Sequence, residues 1–256
     1  MPLVFITGAS SGIGQALALR FYQSGFDLAL VARRAEMVQE WADAQGIAPQ
    51  RLRIYKADVA DTDSIVAAGA QCIAQQGVPD VVIANAGISI GMDTGVRSDI
   101  DVMHTVFATN NTGLAATFHP FIEGMTQRGS GTLVGIGSVA GIRGIPGHGA
   151  YCASKAAVIA YCESLRGEMR PSGVKVVTIC PGYIDTPLTQ QNRYSMPFLM
   201  PVEAFAERAF HAVVAGDSYC VIPWQMGWVA RLLRLLPNAL LDKAFAGRPR
   251  KKRAGE

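Results

Sequence analysis

The chain has 256 residues, half of them hydrophobic and 17% charged, which is enough apolar material for one sizeable core. Its net charge of +3 is too small to indicate a surface that binds nucleic acid. The five cysteines lie at positions 72, 152, 162, 180 and 220, without CxxC spacing, which favours reduced thiols and a cytoplasmic location. The first residues show no basic n-region and no cleavage site, so no targeting segment is expected, and no apolar run reaches the ~20 residues of a membrane span.

Short apolar runs alternate along the chain with stretches of helical periodicity. The runs are hydrophobic almost throughout, which is typical of strands that helices cover on both faces. The predicted strands are Leu3–Thr7, Leu28–Ala32, Leu52–Tyr55, Val81–Ala84, Leu133–Ile136, Val174–Ile179 and Tyr219–Ile222. The predicted helices include Gln15–Gln23, Asp63–Gln75, Ile100–Gln127 and Ala153–Arg170. This alternation predicts an α/β fold with a doubly wound parallel sheet over residues 1–223, in a single domain that residues 224–247 extend.

A glycine-rich turn joins the first predicted strand to the first helix. Glycines at positions 8, 12 and 14 let the backbone turn tightly and approach a pyrophosphate, which would then sit at the positive helix N-terminus. The alternative is a glycine-rich turn that binds no ligand. The strand–turn–helix context favours a dinucleotide site, formed by Gly8, Ser10, Ser11, Gly12, Ile13 and Gly14.

The end of the second strand indicates which dinucleotide is bound. An acidic residue is expected there when the ligand is NAD, because a carboxylate holds the ribose hydroxyls. This chain has Arg33 and Arg34 instead, and two guanidinium groups suit a 2′-phosphate. The alternative is a solvated helix start. We predict NADP(H) as the cofactor.

Two further segments fit the same groove. Asp58-Val59 follows the third strand, where a carboxylate can accept the adenine amino group. Asn85-Ala86-Gly87 follows the fourth strand, at the carboxyl end of the sheet where ligands bind in such folds. An ordinary turn would also explain either segment taken alone.

A possible catalytic group lies further along the chain. Tyr151 and Lys155 are four residues apart, which places them on one face of a helix. A fixed cation stabilises a phenolate and would lower the pKa of Tyr151 toward the range useful for acid/base catalysis. Ser138 ends the fifth strand and could hydrogen-bond the same substrate oxygen. Asn110 is unfavourable inside a helix, which suggests a functional reason for it.

Taken together, these motifs resemble those of the short-chain dehydrogenase/reductase family over nearly the whole chain. The matching elements are TGxxxGIG at Thr7–Gly14, NAG at Asn85–Gly87, NxxG at Asn110–Gly113, Ser138, YxxxK at Tyr151–Lys155, and Pro181-Gly182 with Thr186. The order and spacing of the set are far more specific than any single motif. The resemblance implies a Rossmann fold and transfer of a hydride between the dinucleotide and a carbonyl or alcohol substrate.

The resemblance also implies a role for each matching residue. Tyr151 would be the catalytic acid/base, and Ser138 would orient the substrate. Lys155 would bind the nicotinamide ribose and tune the tyrosine, while Asn110 would hold a water for proton relay. Residues that would contact the nicotinamide end are Pro181, Gly182, Ile184 and Thr186. A non-catalytic dinucleotide sensor on the same fold is the alternative, although the retained catalytic set argues against it.

The resemblance carries expectations about assembly and substrate as well. Helices at Ile100–Gln127 and Ala153–Arg170 would pair across a two-fold axis, which predicts a homodimer or homotetramer. Apolar side chains between the Pro181-Gly182 turn and the next helix lie where the family carries its substrate lid; they are Met196, Phe198, Leu199 and Met200. An apolar lid favours an apolar substrate, and ordinary core packing is the alternative.

The C-terminal region departs from the strand–helix rhythm. Residues 224–247 contain two amphipathic helical segments separated by Pro237, and the basic tail at 248–256 is expected to be disordered. The amphipathic segments could cap the substrate pocket, pack against another subunit, or lie weakly on an anionic membrane surface. We expect the capping role. The tail lacks interleaved aromatic residues, which disfavours nucleic acid as a partner.

Overall fold

A computed structural model describes residues 1–190, 195–247, 250–251 and 253. Within these residues a parallel sheet has the strand order β3-β2-β1-β4-β5-β6-β7. The strands are β1 (Leu3–Thr7), β2 (Asp27–Ala32), β3 (Leu52–Lys56), β4 (Val81–Ala84), β5 (Thr132–Ile136), β6 (Lys175–Pro181) and β7 (Tyr219–Ile222). The chain runs outward from β1 to β3 and then returns to β4. The predicted doubly wound α/β fold is therefore confirmed.

Helices cover both faces of this sheet. They are α1 (Gly12–Gln23), α2 (Ala35–Ala44), α3 (Thr62–Gln76), α4 (Asp99–Phe107), α5 (Gly113–Arg128), α6 (Gly149–Met169), α7 (Pro187–Gln190), α8 (Val202–Ala215), α9 (Trp224–Leu235) and α10 (Asn238–Phe245). Some starts and ends are set locally. Asp61, for example, caps α3 by accepting hydrogen bonds from the backbone N–H groups of Asp63 and Ser64.

The two faces of the sheet carry separate buried cores, which explains why the strand sequences are apolar throughout. Along β1, Val4 and Ile6 pack on one side with α1, α2 and α8, while Leu3 and Phe5 pack on the other with α3, α5 and α6. Because neighbouring residues of a strand point to opposite faces, both sets must be hydrophobic.

The predicted long helix at Ile100–Gln127 is wrong in one respect, because it is interrupted. A π-helical turn at Ala108–Thr112 separates α4 from α5. Within the turn, the Asn110 side chain is drawn toward Ile88 and Ser154, with which it forms hydrogen bonds. A local widening of the helix of this kind often marks a functional site.

The C-terminal segments form α9 and α10, on either side of Pro237 as predicted. The basic tail differs from the expectation of disorder at the three positions that the structure describes. Arg250, Lys251 and Arg253 all make hydrogen bonds to residues in the loop that precedes α4 or at its start. Across the described ranges, no helix combines the length and the hydropathy that a membrane span requires.

Candidate active site

A cavity of about 540 Å³ lies at the carboxyl ends of the strands. We call it the strand-end cavity. It brings together most of the predicted binding residues: Gly8, Ser10, Ser11, Gly12, Ile13, Arg33, Arg34, Asp58, Val59, Asn85, Ala86, Gly87, Tyr151, Lys155, Pro181, Gly182, Ile184 and Thr186. Residues from six separated parts of the chain therefore meet where the strand order reverses, the place at which ligands bind in such sheets.

The glycine-rich turn has the shape that its sequence predicts. Gly8 and Gly12 have φ angles of +69° and +55°, which favour glycine. A Cβ atom on Gly8 would lie 2.8 Å from the Cα of Ala86. Gly14 is a correction, because it does not line the cavity. A Cβ atom there would overlap the carbonyl oxygen of Gly8, so this glycine permits close packing of helix and turn.

The start of α1 can receive an anion. Ser11 stands at the N-cap position but its side chain makes no capping hydrogen bond, and the first turn holds no acidic residue. The first N–H groups of a helix have no partner within the helix and carry a partial positive charge. The turn and the helix start therefore suit a pyrophosphate.

The end of β2 presents positive charge at one end of this cavity. Arg33 and Arg34 follow the strand and line the cavity. Nη1 of Arg33 lies 3.6 Å from Oδ2 of Asp58, and both side chains are well exposed. The carboxylate near these arginines thus follows β3 rather than β2. A strand end that offers guanidinium groups suits a phosphate better than ribose hydroxyls.

The Asn85–Gly87 segment is held against the first turn. Nδ2 of Asn85 donates to the carbonyl oxygen of Thr7 at 2.9 Å. In return, Oγ1 of Thr7 accepts from the backbone N–H groups of Asn85 and Ala86, at 3.1 and 3.2 Å. These bonds connect the loops after β1 and β4, and so set the width of the cavity at the point where the strand order reverses.

Tyr151, Lys155 and Ser138 lie together at one end of the strand-end cavity. The Ser138 hydroxyl accepts from the backbone N–H of Ala140 at 3.1 Å, and it lies close enough to Tyr151 to act toward a lower pKa of the phenol. Nζ of Lys155 donates to the carbonyl oxygen of Ile136 at 2.8 Å and lies 5.9 Å from the centre of the Tyr151 ring. The helical spacing thus places phenol and ammonium side by side.

Burial controls the protonation of this pair. It raises the pKa of Tyr151 to about 12, although the hydrogen bond from Ser138 acts in the opposite direction. Burial also lowers the pKa of Lys155 to about 8. The sequence predicts a lowered pKa for Tyr151, and the structure differs because desolvation outweighs the lowering effect of Ser138. The phenol is therefore protonated at neutral pH and can act as a proton donor.

Asn110 is almost completely buried, and its side chain connects two segments of the chain through hydrogen bonds. Its Oδ1 accepts from the Ile88 N–H at 2.8 Å, and its Nδ2 donates to the Ile88 carbonyl oxygen and to Oγ of Ser154. The side chain does not line the strand-end cavity. It joins the loop after β4 to α6, which carries Tyr151, and a role in holding water stays a prediction.

A second cavity of about 790 Å³ adjoins the first. We call it the C-terminal cavity, because α9, Phe245 and Lys251 contribute to its wall. Its apolar lining includes Val139, Ile145, Pro146, Leu188, Pro197, Met226, Val229, Leu233 and Phe245. Five residues line both cavities: Ser138, Tyr151, Gly182, Leu188 and Thr189. The two cavities therefore meet at the serine and tyrosine hydroxyls.

The residues expected to form a substrate lid are arranged differently. Met200 is buried in the core, and Phe198 and Leu199 are about half exposed. Neither these three nor Met196 lines the C-terminal cavity, whose wall here is formed by Ser195 and Pro197. The apolar cover comes instead from α9, whose inner side carries Met226, Val229, Ala230 and Leu233.

Several lining residues were not predicted from the sequence. Thr189 donates through Oγ1 to the Ile184 carbonyl and accepts from the Thr186 N–H at 3.0 Å, which orders the turn after β6. Arg143 and Lys251 bring positive charge to the C-terminal cavity. The basic composition of the tail was a signal for Lys251, but nothing local indicates where that lysine lies.

Comparisons with known proteins agree with this geometry. The family model described as short chain dehydrogenase matches residues 2–196. An uncharacterized oxidoreductase from Myxococcus xanthus (strain DK1622) is 37% identical over 239 residues, which cover 93% of this chain and 94% of the relative. The NADP-dependent 3-hydroxy acid dehydrogenase YdfG from Escherichia coli O6:H1 is 32% identical over 182 residues, 71% of this chain and 72% of that protein.

A solved structure shows the same arrangement of the chain. The closed form of a serine dehydrogenase complexed with NADP⁺ has a TM-score of 0.75 and 27% sequence identity, and the match covers 86% of this chain and 93% of that one. The matched part of this chain includes a parallel sheet with helices on both faces.

Proposed function

This chain belongs to the short-chain dehydrogenase family, and we propose that it transfers a hydride between NADP(H) and a carbonyl or secondary alcohol. The resemblance inferred from the motifs is thereby confirmed at the level of the family, as is its oxidoreductase character. The finer statements, on cofactor, substrate and residue roles, are proposals.

One observation carries the proposal: Ser138 and Tyr151 line both cavities. A hydride transfer needs the cofactor and the substrate to be held side by side, with a proton donor at the point of contact. The strand-end cavity has the motifs for a dinucleotide, and the C-terminal cavity is the adjoining space for a second molecule. The two hydroxyl groups stand at the junction.

The strand-end cavity fits NADP(H) in its chemistry. The start of α1 would hold the pyrophosphate, Arg33 and Arg34 the 2′-phosphate, and Asp58 the adenine amino group. Lys155 would bind the nicotinamide ribose, with the Ile184 backbone and Thr186 near the carboxamide. When bound, the nicotinamide supplies the hydride or accepts it. The names of a 3-hydroxy acid dehydrogenase relative and of the serine dehydrogenase complex both mention NADP, which supports this choice.

The protein's own residues handle the proton. In the reducing direction, the Tyr151 hydroxyl donates its proton to the carbonyl oxygen, while the Ser138 hydroxyl donates a hydrogen bond to the same oxygen. The phenolate that forms is stabilised by the Lys155 ammonium, which lies on the same face of α6. In the oxidising direction, the phenolate takes the proton from the alcohol.

The test is a screen of NADPH oxidation against ketones, aldehydes and longer-chain carbonyl compounds. We expect carbonyl-dependent turnover, together with thermal stabilisation by NADPH. Stabilisation by NADPH without turnover of any carbonyl or alcohol would favour the dinucleotide sensor. Neither stabilisation nor turnover would contradict both functions.

We also propose a homodimer or homotetramer formed through α4, α5 and α6, and a monomeric mass in solution would contradict it. Weak attachment to an anionic membrane surface has less support, because Arg250 and Arg253 of the tail are paired with Asp93 and Asp99. A cytoplasmic location stays a prediction from the cysteine pattern.

A further inference from the structure

The described residues of the basic tail, Arg250, Lys251 and Arg253, lie at the C-terminal cavity or contact the segment before α4 and the start of that helix. Arg253 forms two hydrogen bonds with Asp99, at 2.7 and 3.1 Å, and Nη1 of Arg250 lies 3.5 Å from Oδ2 of Asp93. Asp99 is itself almost completely buried and accepts a further hydrogen bond from the backbone N–H of Asp93. Two of the three described cations of the tail therefore have carboxylate partners that fasten the tail to the body.

Backbone packing supports the same placement. Arg253 pairs with Gly91 in an isolated parallel bridge. Gly147 has a φ angle of +78°, and a Cβ atom there would lie 3.0 Å from the Cβ of Arg250. Arg250 and Arg253 thus contact the loop before α6 and the loop before α4, respectively.

Lys251, between the two paired arginines, is different. Its Nζ donates to Oγ of Ser89 at 2.8 Å, and within the described part of the chain no carboxylate lies within ion-pair distance. Lys251 and Ser89 both line the C-terminal cavity, as does His148. Burial lowers the pKa of Lys251 and also that of His148, which is mostly neutral at pH 7 as a result. Lys251 therefore lies at the cavity without an ion-pair partner among the described residues.

The rest of the cavity wall does not supply the missing negative charge. Among its described lining residues there is no aspartate or glutamate. A second cation, Arg143, lines the wall as well; it is held by Asn238 and by the Leu236 carbonyl, and its buried Nε has no hydrogen-bond partner in the described residues. Partly buried cations without a counterion are costly, and an anionic ligand would offset that cost through charge-assisted hydrogen bonds.

We propose that the substrate of the C-terminal cavity carries an anionic group of the carboxylate class, and that the Lys251 ammonium binds it. The apolar wall would then contact the carbon chain between the carbonyl group at Tyr151 and the anion at Lys251. The inference rests on the proposed function and deepens it. It makes the tail a part of the substrate site.

The experiment compares substrates that differ only in charge. Straight-chain keto carboxylates of increasing length, and the primary amide of each, are reduced with NADPH by the wild type and by Lys251→Met, Lys251→Arg and Lys243→Met. Lys243 is an exposed lysine of α10 outside both cavities, so its variant controls for the loss of a C-terminal charge. Calorimetric titration of NADP⁺-saturated protein with the same compounds measures binding in complexes that cannot react.

At the preferred chain length, we expect the wild type and Lys243→Met to favour the carboxylate over the amide by about tenfold in kcat/KM. Lys251→Met should lose this preference, mainly through a higher KM for carboxylates, so that the acid and the amide of one chain length are used about equally. Lys251→Arg should keep part of it, because the charge remains.

Equal use of acids and amides by the wild type across the whole series overturns the inference, and so does a charge preference that survives in Lys251→Met. Failure of the proposed function looks different. In that case no compound is reduced, and Lys251-dependent binding of carboxylates, measured by the same titration, would still support the anion site. Absence of such binding together with absence of turnover would overturn both.

Discussion

The two cavities that meet at Ser138 and Tyr151 are built from different kinds of structure. The strand-end cavity is formed by short turns that follow parallel strands, and hydrogen bonds such as those between Asn85 and Thr7 hold these turns to one another. The C-terminal cavity is closed by α9, Phe245 and a tail segment that ion pairs fasten in place. The strand-end cavity is therefore part of the sheet, whereas the C-terminal cavity is enclosed by segments that pack on it.

This difference indicates where binding and selectivity reside. A site made from strand ends changes little without disturbing the whole sheet, so it suits a ligand common to many enzymes. A site made from a terminal extension can vary independently of the core, so it suits a particular substrate. Changes at the junction should therefore have the largest effect on catalysis. Changes in the strand-end cavity should alter the choice of cofactor, and changes in the tail should alter only the affinity for substrate.

The largest effect is expected at the junction itself. Tyr151→Phe removes the proton donor and leaves the ring, so kcat should fall by about 10²–10⁴-fold while the Kd of NADPH stays unchanged. Steady-state kinetics and a fluorescence titration with NADPH measure the two quantities. Tyr161→Phe, on the exposed side of the same helix, is the control. Near-normal turnover of Tyr151→Phe would refute the assigned role.

Lys155→Met should have opposite effects on activity and on stability, lowering the first and raising the second. Loss of the ammonium should lower kcat/KM by roughly a hundredfold and weaken NADPH binding, because one group serves both tasks. The same change removes a buried cation, so the protein without cofactor should unfold at a higher urea concentration at neutral pH. A variant that is less stable and binds NADPH normally would contradict this account.

The pH dependence of stability follows from the same lysine. Its pKa in the folded chain is about 8, below its usual value of 10.5, so the unfolded chain binds more protons between these values. The wild type should therefore gain stability relative to Lys155→Met as the pH rises from about 8 toward about 10. The cysteines whose pKa values are raised by burial lower stability over the same range, and they act equally in both proteins. Urea unfolding of both proteins across this range measures the difference in their free energies of unfolding. A difference that does not change with pH would exclude the Lys155 ammonium as a source of pH dependence.

A smaller effect is expected in the strand-end cavity. The wild type should bind NADPH at least about tenfold more tightly than NADH, a difference of ~1.4 kcal/mol, and the double variant Arg33→Ala/Arg34→Ala should lose the preference. Its kcat with saturating cofactor should change little. Arg53→Ala, on the exposed side of β3, is the matched control. Equal affinities of the wild type for the two cofactors would refute the prediction.

The smallest effect is expected from weakening the ion pair that holds the tail. Asp99→Asn weakens the contact with Arg253, so KM for keto carboxylates should rise about threefold at unchanged kcat, and trypsin should cut the tail faster. Asp101→Asn, which affects only the exposed pair with Arg97, is the control. Arg253 holds the pKa of Asp99 in the folded chain below its usual value. The stabilisation by this contact is therefore complete at pH values above the usual pKa, and it is lost as the pH falls through the lowered pKa of the folded chain. A KM that does not respond to Asp99→Asn would separate the tail from substrate binding.

The sequence predicted the strands and most of the strand-end cavity well. Leu3–Thr7, Val81–Ala84 and Tyr219–Ile222 have the predicted bounds, because burial on both faces leaves a continuous apolar run. Two predictions about helices and glycines were less complete. The break at Ala108–Thr112 depends on a second segment of the chain, because Asn110 reaches Ile88. Gly14 packs against Gly8 of the same turn and against the Asn85 side chain of the loop after β4.

What the sequence alone determined is therefore local or periodic: the alternation of strands and helices, the glycine-rich turn, the arginines after β2 and the Tyr151–Lys155 spacing. What only the tertiary structure decided is long-range: the burial that raises the pKa of Tyr151, and the position of the tail. Lys251 contacts Ser89, 162 residues away, and Arg253 contacts Asp99, 154 residues away. Such contacts depend on how separately formed helices pack and where the last one ends, and no local pattern of residues carries that information.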